Sequence, residues 1–256
     1  MSLNRREWLV GCGAGTLTLL PGCGLRATGP TALQPPERSL VWRHATPLPI
    51  VQYRLGAPNP GTVLRRRALP ARELSFGDLA RIDKLMRQTL KRSGGVGLAA
   101  PQVGLPRRVV LVELQTGQRP AQPRPVKDRP AQPRPVLTCV DPRILRRSPR
   151  RVDGYEACLS IRDVGGLVSR AAWVELEYYD LAGRRRRRRS EGWEARIFQH
   201  ELDHLDGRLY VDLVSGALLP IDEMRRLRRL RRLRKRSAVD RETVIARRPF
   251  PGELIL

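Results

Sequence analysis

Histidine is scarce in this chain: of 256 residues only His44, His200 and His204 are histidines, and two of those stand four apart. The four cysteines, Cys12, Cys23, Cys139 and Cys158, show no paired CxxC spacing, which argues against a zinc ribbon and a thioredoxin-like site. Acidic residues are a minority as well. With 25 Asp and Glu against 49 Lys and Arg, the formal net charge is +24. That is beyond what solubility needs, and it implies either a polyanionic neighbour (RNA, a ribosome or an anionic lipid surface) or merely arginine at most exposed positions. Charge alone names no function. Hydrophobic residues make up 41% of the chain, enough for the core of one domain of ordinary size with extensions, so this is no short disulfide scaffold.

The apolar run near the N-terminus is too short to span a bilayer. Residues 1–23 instead have the layout of an export signal: a basic start, an apolar middle and small residues before a cut. Arg5-Arg6 before Trp8-Leu9 resembles a twin-arginine signal, and Leu20-Pro21-Gly22-Cys23 resembles a lipoprotein cleavage box with Cys23 as the anchored residue. Residues 24–47, with several prolines and little periodicity, read as a linker, and a domain is expected over 48–236, followed by a tail over 237–256. Inside the domain, Leu79, Ile82, Leu85, Met86 and Leu90 recur at helical spacing, with Ser75 as cap and Gly94-Gly95 as stop. Val109–Leu114, Val136–Val140 and Val174–Tyr179 read as strands. Between the first two lies a word-for-word duplication, Arg119–Val126 repeated at Arg129–Val136, whose prolines exclude sheet interior and helix alike. The surrounding 116–136 segment is expected to be a solvated loop insertion. Six adjacent arginines, Arg184–Arg189, cannot all face a core, so a strand here must be an edge strand or keep alternate side chains wet. Glu194–Leu205 returns to a helical pattern, and Ile221–Arg236 carries a narrow stripe of Leu227, Leu230 and Leu233 on an arginine-coated helix.

The chemistry concentrates in His200-Glu201-Leu202-Asp203-His204. On a helix, this spacing sets two imidazoles on one face where both can hold one metal ion, with Glu201 beside the open position. Ile197 and Phe198 before the pair and Leu205 after it would bury one side of the helix. A catalytic divalent site needs a third protein ligand. Cys158, in Glu156-Ala157-Cys158-Leu159-Ser160, is one candidate, and Glu223 on the basic helix is another, where an intrahelical ion pair is the plainer role. A third element, Gly95-Val96-Gly97-Leu98-Ala99-Ala100-Pro101-Gln102, is glycine-rich but lacks the Gly-Lys-Ser/Thr ending of a phosphate loop. Its glycines would let the backbone approach a peptide, and Gln102 offers a side-chain N–H.

In order along the chain, Gly95–Gln102, Glu156–Ser160 and Gln199–His204 resemble the three motifs of the peptide deformylase family. The resemblance extends from about Pro49, through Ile50-Val51-Gln52-Tyr53, to about Arg236. It implies an α+β fold, with antiparallel sheets packed around a central metal-binding helix and an additional basic C-terminal helix. It also implies removal of the formyl group from N-terminal formyl-methionine, with release of formate. Carried over, the metal ligands are Cys158, His200 and His204, and Glu201 is the general base. Gln102 and the Leu159 N–H hold the oxyanion. Gly95, Val96, Gly97, Ala157, Ile197 and Phe198 line the substrate groove, the last two as the methionine pocket. The metal would be ferrous iron, with zinc, nickel or cobalt as substitutes, and the basic C-terminal helix would contact ribosomal RNA. Location divides between two features: the resemblance implies the cytoplasm, the leader-like segment export or a membrane anchor at Cys23. The chain departs from the family at Ala157, where glycine is usual, and at Arg162, where proline is common.

Overall fold

A computed structural model describes residues 32–44, 47–59, 61–114, 134–227 and 230. The signal-like segment, nearly all of the 116–136 insertion and the 237–256 tail lie outside the described residues. In chain order the elements are α1 (Pro35–Arg43), α2 (Phe76–Ser93), β1 (Gly97–Ala99), β2 (Val109–Glu113), β3 (Val136–Arg147), β4 (Arg151–Cys158), β5 (Ile161–Ala171), β6 (Trp173–Tyr179), β7 (Arg185–Glu191), α3 (Gly192–Leu205) and β8 (Leu219–Pro220). The result is a mixed helix and antiparallel-sheet fold. One sheet runs β1-β2-β3-β6-β7 and the other β4-β5-β8, and every pairing between these strands is antiparallel.

Helix α2 forms where the periodicity places it. The Ser75 hydroxyl accepts from the Asp78 N–H at its start, and at its end Gly94 takes φ 70 and returns its N–H to the Leu90 carbonyl. That left-handed cap is cheap only without a Cβ. The buried stripe from Leu79 to Leu90 packs on Leu98, Val109, Leu111 and Val140, one face of the larger sheet. The opposite face, through Val110, Val112, Cys139, Val174 and Leu176, receives Phe198, Leu202 and Leu205 of α3. Alternation along β2 thus serves two helices at once. Cys139 lies in that second layer, where burial pushes its thiol pKa up, a core residue rather than a reactive one.

Within the stretch whose composition suggests a linker, Pro35–Arg43 form a helix docked on the domain. Only Val41 and Glu37 of it are buried, so apolar periodicity has little to signal. Its anchor is an ion pair across 70 residues of chain: Arg107, fully buried, meets the Glu37 carboxylate through Nε at 2.6 Å and Nη2 at 2.7 Å. The Trp42 Nε1–H donates to Asp78 at 2.9 Å. Replacing Arg107 with alanine strands a carboxylate in a dry site, and urea denaturation should show a loss of roughly 3–5 kcal/mol. Converting both partners to apolar residues should recover much of that loss.

The arginine run is the edge strand β7, with six of its seven residues at least partly exposed. The basic helix expected over Ile221–Arg236 begins as a helix at residues 221–227, and nearly all the rest lies outside the described residues. Met224, buried beneath Gly165 of β5, ties that start to the smaller sheet.

Candidate metal centre

Two elements deliver the cluster. β4 ends in Cys158, followed by a turn at Leu159-Ser160, and α3 presents His200, Glu201 and His204 from adjacent turns. One ligand atom from each of Cys158, His200 and His204 lies within 4.8 Å of the others, and all three residues are buried. The Cys158 Sγ stands 3.3 Å from His204 Nε2. Glu223, the rival third ligand, pairs instead with Arg226 on its own helical segment at 3.3 Å and takes no part in the cluster.

Behind the cluster is a buried charge network that motif reading missed. Glu156 is two residues before Cys158 on β4, and across an irregularity in the strand between them both reach the histidine pair of α3. It accepts from His200 Nδ1 at 3.0 Å, from Arg170 through both oxygens at 2.9 Å, and from Arg196 at 2.7 Å. Arg170 also pairs with Asp203. Burial works to raise the Glu156 pKa, but Arg170 and then His200 outweigh it and hold the carboxyl well below the usual carboxylate range. An ionised Glu156 fixes a proton of His200 on Nδ1 and turns Nε2 toward the cluster, where its lone pair can bind a cation. The place of Glu156 two residues before the cysteine is visible in the sequence; its two arginine partners are not.

The donor set fits a divalent cation. His200 Nε2 and Glu201 Oε2 are buried without a hydrogen-bond partner, a cost that native sites rarely carry unless something else satisfies the group. One thiolate and two imidazoles are ligands suited to zinc or iron. Electrostatics separate the two rings: burial depresses His204, helped by the neighbouring His200, whereas against its own burial His200 is raised to about 10 by the Cys158 sulfur and the Glu156 carboxylate, so the pocket favours one positive charge but not two. Glu201 is pushed by burial up to about 7, where a carboxylate can exchange protons near neutrality.

The Gly95–Gln102 stretch is not the open loop its glycines suggest. Gly97–Ala99 form β1, paired with Val110–Val112, and Ala100–Val103 turn as a short 3-10 helix. Gln102 Oε1 accepts from the Ala99 N–H at 2.8 Å, which aims its Nε2 at the Cys158 sulfur, 3.4 Å away. Gly97 is where Glu201 needs room: a Cβ there would lie 2.3 Å from Glu201 Oε1 and 2.9 Å from Ile197 Cγ2. Gly97→Ala should therefore cut kcat/KM at least about tenfold by displacing the carboxylate, while bound metal, measured by elemental analysis, stays near one per chain. Gly95 and Val96 are half-buried at the entry to β1.

Ala157 is buried, and among the described residues positive φ outside glycine occurs only at Asp141 and Asp163. The backbone beside the cysteine therefore accepts a Cβ without strain. Leu159 is half-buried, and its carbonyl accepts from Gln52 Nε2 at 3.1 Å. The same early segment donates Val51 N–H to the Gln102 carbonyl and Tyr53 N–H to the Ser160 carbonyl, lacing two motifs together. Ile197 reaches the Gly97 side of the cluster, whereas Phe198 lies with Leu202 and Leu205 in the sheet core on another face of α3. Gln199 clamps α3 to β5, its amide exchanging two hydrogen bonds of 3.0 Å with the Ala171 backbone.

A buried sulfur and two imidazoles beside a helical carboxylate, held by a fold of helices and antiparallel sheets, define a metal-dependent hydrolase. The sequence pattern of the family described as Polypeptide deformylase matches residues 48–217. The chain belongs to that family, whose members remove the formyl group from N-terminal formyl-methionine. It is 36% identical over 162 residues to a peptide deformylase of Roseiflexus castenholzii, covering 63% of this chain and 86% of that one. The crystal structure of peptide deformylase from Thermotoga maritima is similar at TM-score 0.55 and 29% identity, covering 68% of this chain and 100% of that one. A class I type b peptide deformylase from Acinetobacter baumannii, bound to Met-Ala-Ser, is similar at TM-score 0.54 and 32% identity, covering 67% and 100%.

Proposed function

We propose that α3 is the metal-binding helix, and that Cys158, His200 and His204 hold one ferrous ion, replaceable by zinc or nickel, for deformylation of formyl-methionyl peptides. Bound there, the cation would polarise the formyl carbonyl and acidify a water. Glu201, itself buried, would take the proton of that water and later deliver a proton to the departing amine. The Gln102 Nε2–H, aimed inward by the Ala99 contact, and the Leu159 N–H stabilise the oxygen on which charge develops. Glu156 keeps His200 oriented throughout.

The peptide lies extended beside Gly95, Val96 and Gly97, where among the described residues β1 is an edge strand paired with β2 alone, and beside Ala157. Ile197, with Phe198 behind it, borders the methionine side chain. The Met-Ala-Ser bound by the Acinetobacter baumannii relative supports a tripeptide of that kind as substrate. The basic helix from Ile221 contacts the ribosome that carries the nascent chain. Cytoplasmic action follows from that substrate, and a lipid anchor at Cys23 is the alternative that mass spectrometry of the mature N-terminus decides.

The convergence of one sulfur and two imidazole nitrogens on a single point carries this reading. Its test is formate release from formyl-Met-Ala-Ser by protein loaded anaerobically with iron: a rate no higher than in the absence of protein would end it.

A further inference from the structure

On the sheet face that carries α2, the helix covers only the β1–β2 half and the start of β3. Beyond Tyr179 the same face, formed by the later part of β3 with β6 and β7, is without a covering helix among the described residues. Register there produces rows. Arg143 of β3, Glu177 of β6 and Arg187 of β7 stand side by side, and next to them Arg146, Glu175 and Arg189. Each carboxylate lies between guanidiniums. Glu177 holds Arg143 at 2.6 Å, Arg187 at 3.3 Å and Arg185 at 3.8 Å, and Glu175 holds Arg189 at 3.4 Å and Arg146 at 3.7 Å. At the hairpin end Asp180 takes both Arg184 and Arg186, and Glu191 takes Arg189 a second time.

The two signs are not equally accessible. The Glu177 side chain is 5% exposed, whereas those of Arg143, Arg146, Arg185 and Arg187 are between 62% and 72% exposed. On this face five guanidiniums, those of Arg143, Arg146, Arg185, Arg187 and Arg189, stand over the two less exposed carboxylates of Glu175 and Glu177, a surplus of three positive charges held from beneath. A guanidinium has five N–H groups in a planar fork, so one fixed from below still presents donors outward, with less rotamer freedom left to lose on binding. Alternate residues of a strand are about 6.8 Å apart, the scale of the separation between successive phosphates on one nucleic-acid strand.

We propose that this face, centred on Arg143, Arg185, Arg187 and Arg189, is a docking surface for the phosphate backbone of RNA, distinct from the catalytic cleft. Contacts of this kind carry no sequence information, which suits a surface that offers guanidiniums and almost no stacking platform. The Trp173 ring is already covered by the Arg189 guanidinium at 4.0 Å. A bilayer would call for apolar side chains that insert beside the cations, and Leu145 is the one large apolar side chain exposed on these three strands. RNA is also the polyanion present wherever formylated nascent chains are made.

The test uses the full metal-loaded chain and a fluorescent 20-base-pair RNA duplex, with anisotropy recorded from 50 to 200 mM salt. R185T/R187T/R189T should weaken binding on the order of tenfold or more at low salt and flatten the log–log salt dependence by about three, near one unit per lost phosphate contact. R143T/R146T, which reaches the same rows from β3, should also weaken it. A control with the same charge change elsewhere, R66T/R67T/R92T, should stay within about twofold of the parent. Formate release from formyl-Met-Ala-Ser should be unchanged in all three, reporting intact folding. Equal weakening in the control, no effect of the β7 or β3 variants on RNA, or an effect seen only with phosphatidylserine vesicles would each overturn the proposal.

Discussion

Glu201→Ala should lower formate release from formyl-Met-Ala-Ser by roughly a thousandfold, within the span of general acid–base catalysis, and leave the bound metal in place. The carboxylate is buried, faces the Gly97 backbone, and has one oxygen without a partner, so it is poised to act on a proton rather than to hold the fold together. It is also no member of the group formed by Cys158, His200 and His204, which is why metal content should not follow activity. Glu201→Gln makes the sharper comparison because it keeps the volume and removes only the basicity. Retention of more than about a tenth of the parental rate in the glutamine variant, on the scale of what one such group contributes, would remove Glu201 from the proton-transfer role.

The second large effect is on the metal itself. Cys158→Ala should reduce bound iron or zinc to near background after dialysis and abolish turnover, whereas Glu223→Ala should change neither. Two imidazoles on one helix leave a cation with half a tetrahedron of protein ligands, and among the described residues the sulfur at the end of β4 is the donor that groups with both of them within 4.8 Å. Glu223 is engaged with Arg226 and partly exposed. Elemental analysis of the two variants beside the parent decides the matter: a Cys158→Ala protein that keeps its metal at parental stoichiometry has its third ligand elsewhere.

Much of this was legible without coordinates. The α2 stripe with its serine cap and glycine stop, the strands at Val109 and Trp173, and the edge position of the arginine run all follow from periodicity and from the cost of burying charge. So does the pairing of His200 with Glu201 and His204, because helix geometry is local. What stayed hidden involved partners distant in the chain. α1 has almost no apolar signal, since its anchor is Glu37 on Arg107. β1 is hidden in a glycine-rich segment because it becomes a strand only by pairing with β2. The departure at Ala157, where the resemblance implies glycine, puts no positive-φ strain on the backbone, because φ at that position is ordinary.

From residue order alone came the reacting groups and their local frame: two imidazoles a turn apart, a carboxylate beside them, a cysteine and a glutamine in motifs of their own. Only the folded chain brought the cysteine, and not Glu223, into one cluster with the two histidines, set Glu156 with Arg170 and Arg196 against His200, and put Gly97 where Glu201 needs room. The division has a simple cause. Backbone periodicity acts over a few residues and can be read along the chain, whereas ion pairs, ligand sets and close packing join residues from 14 to more than 40 positions apart, where many partners are possible until the sheets bring one of them into reach.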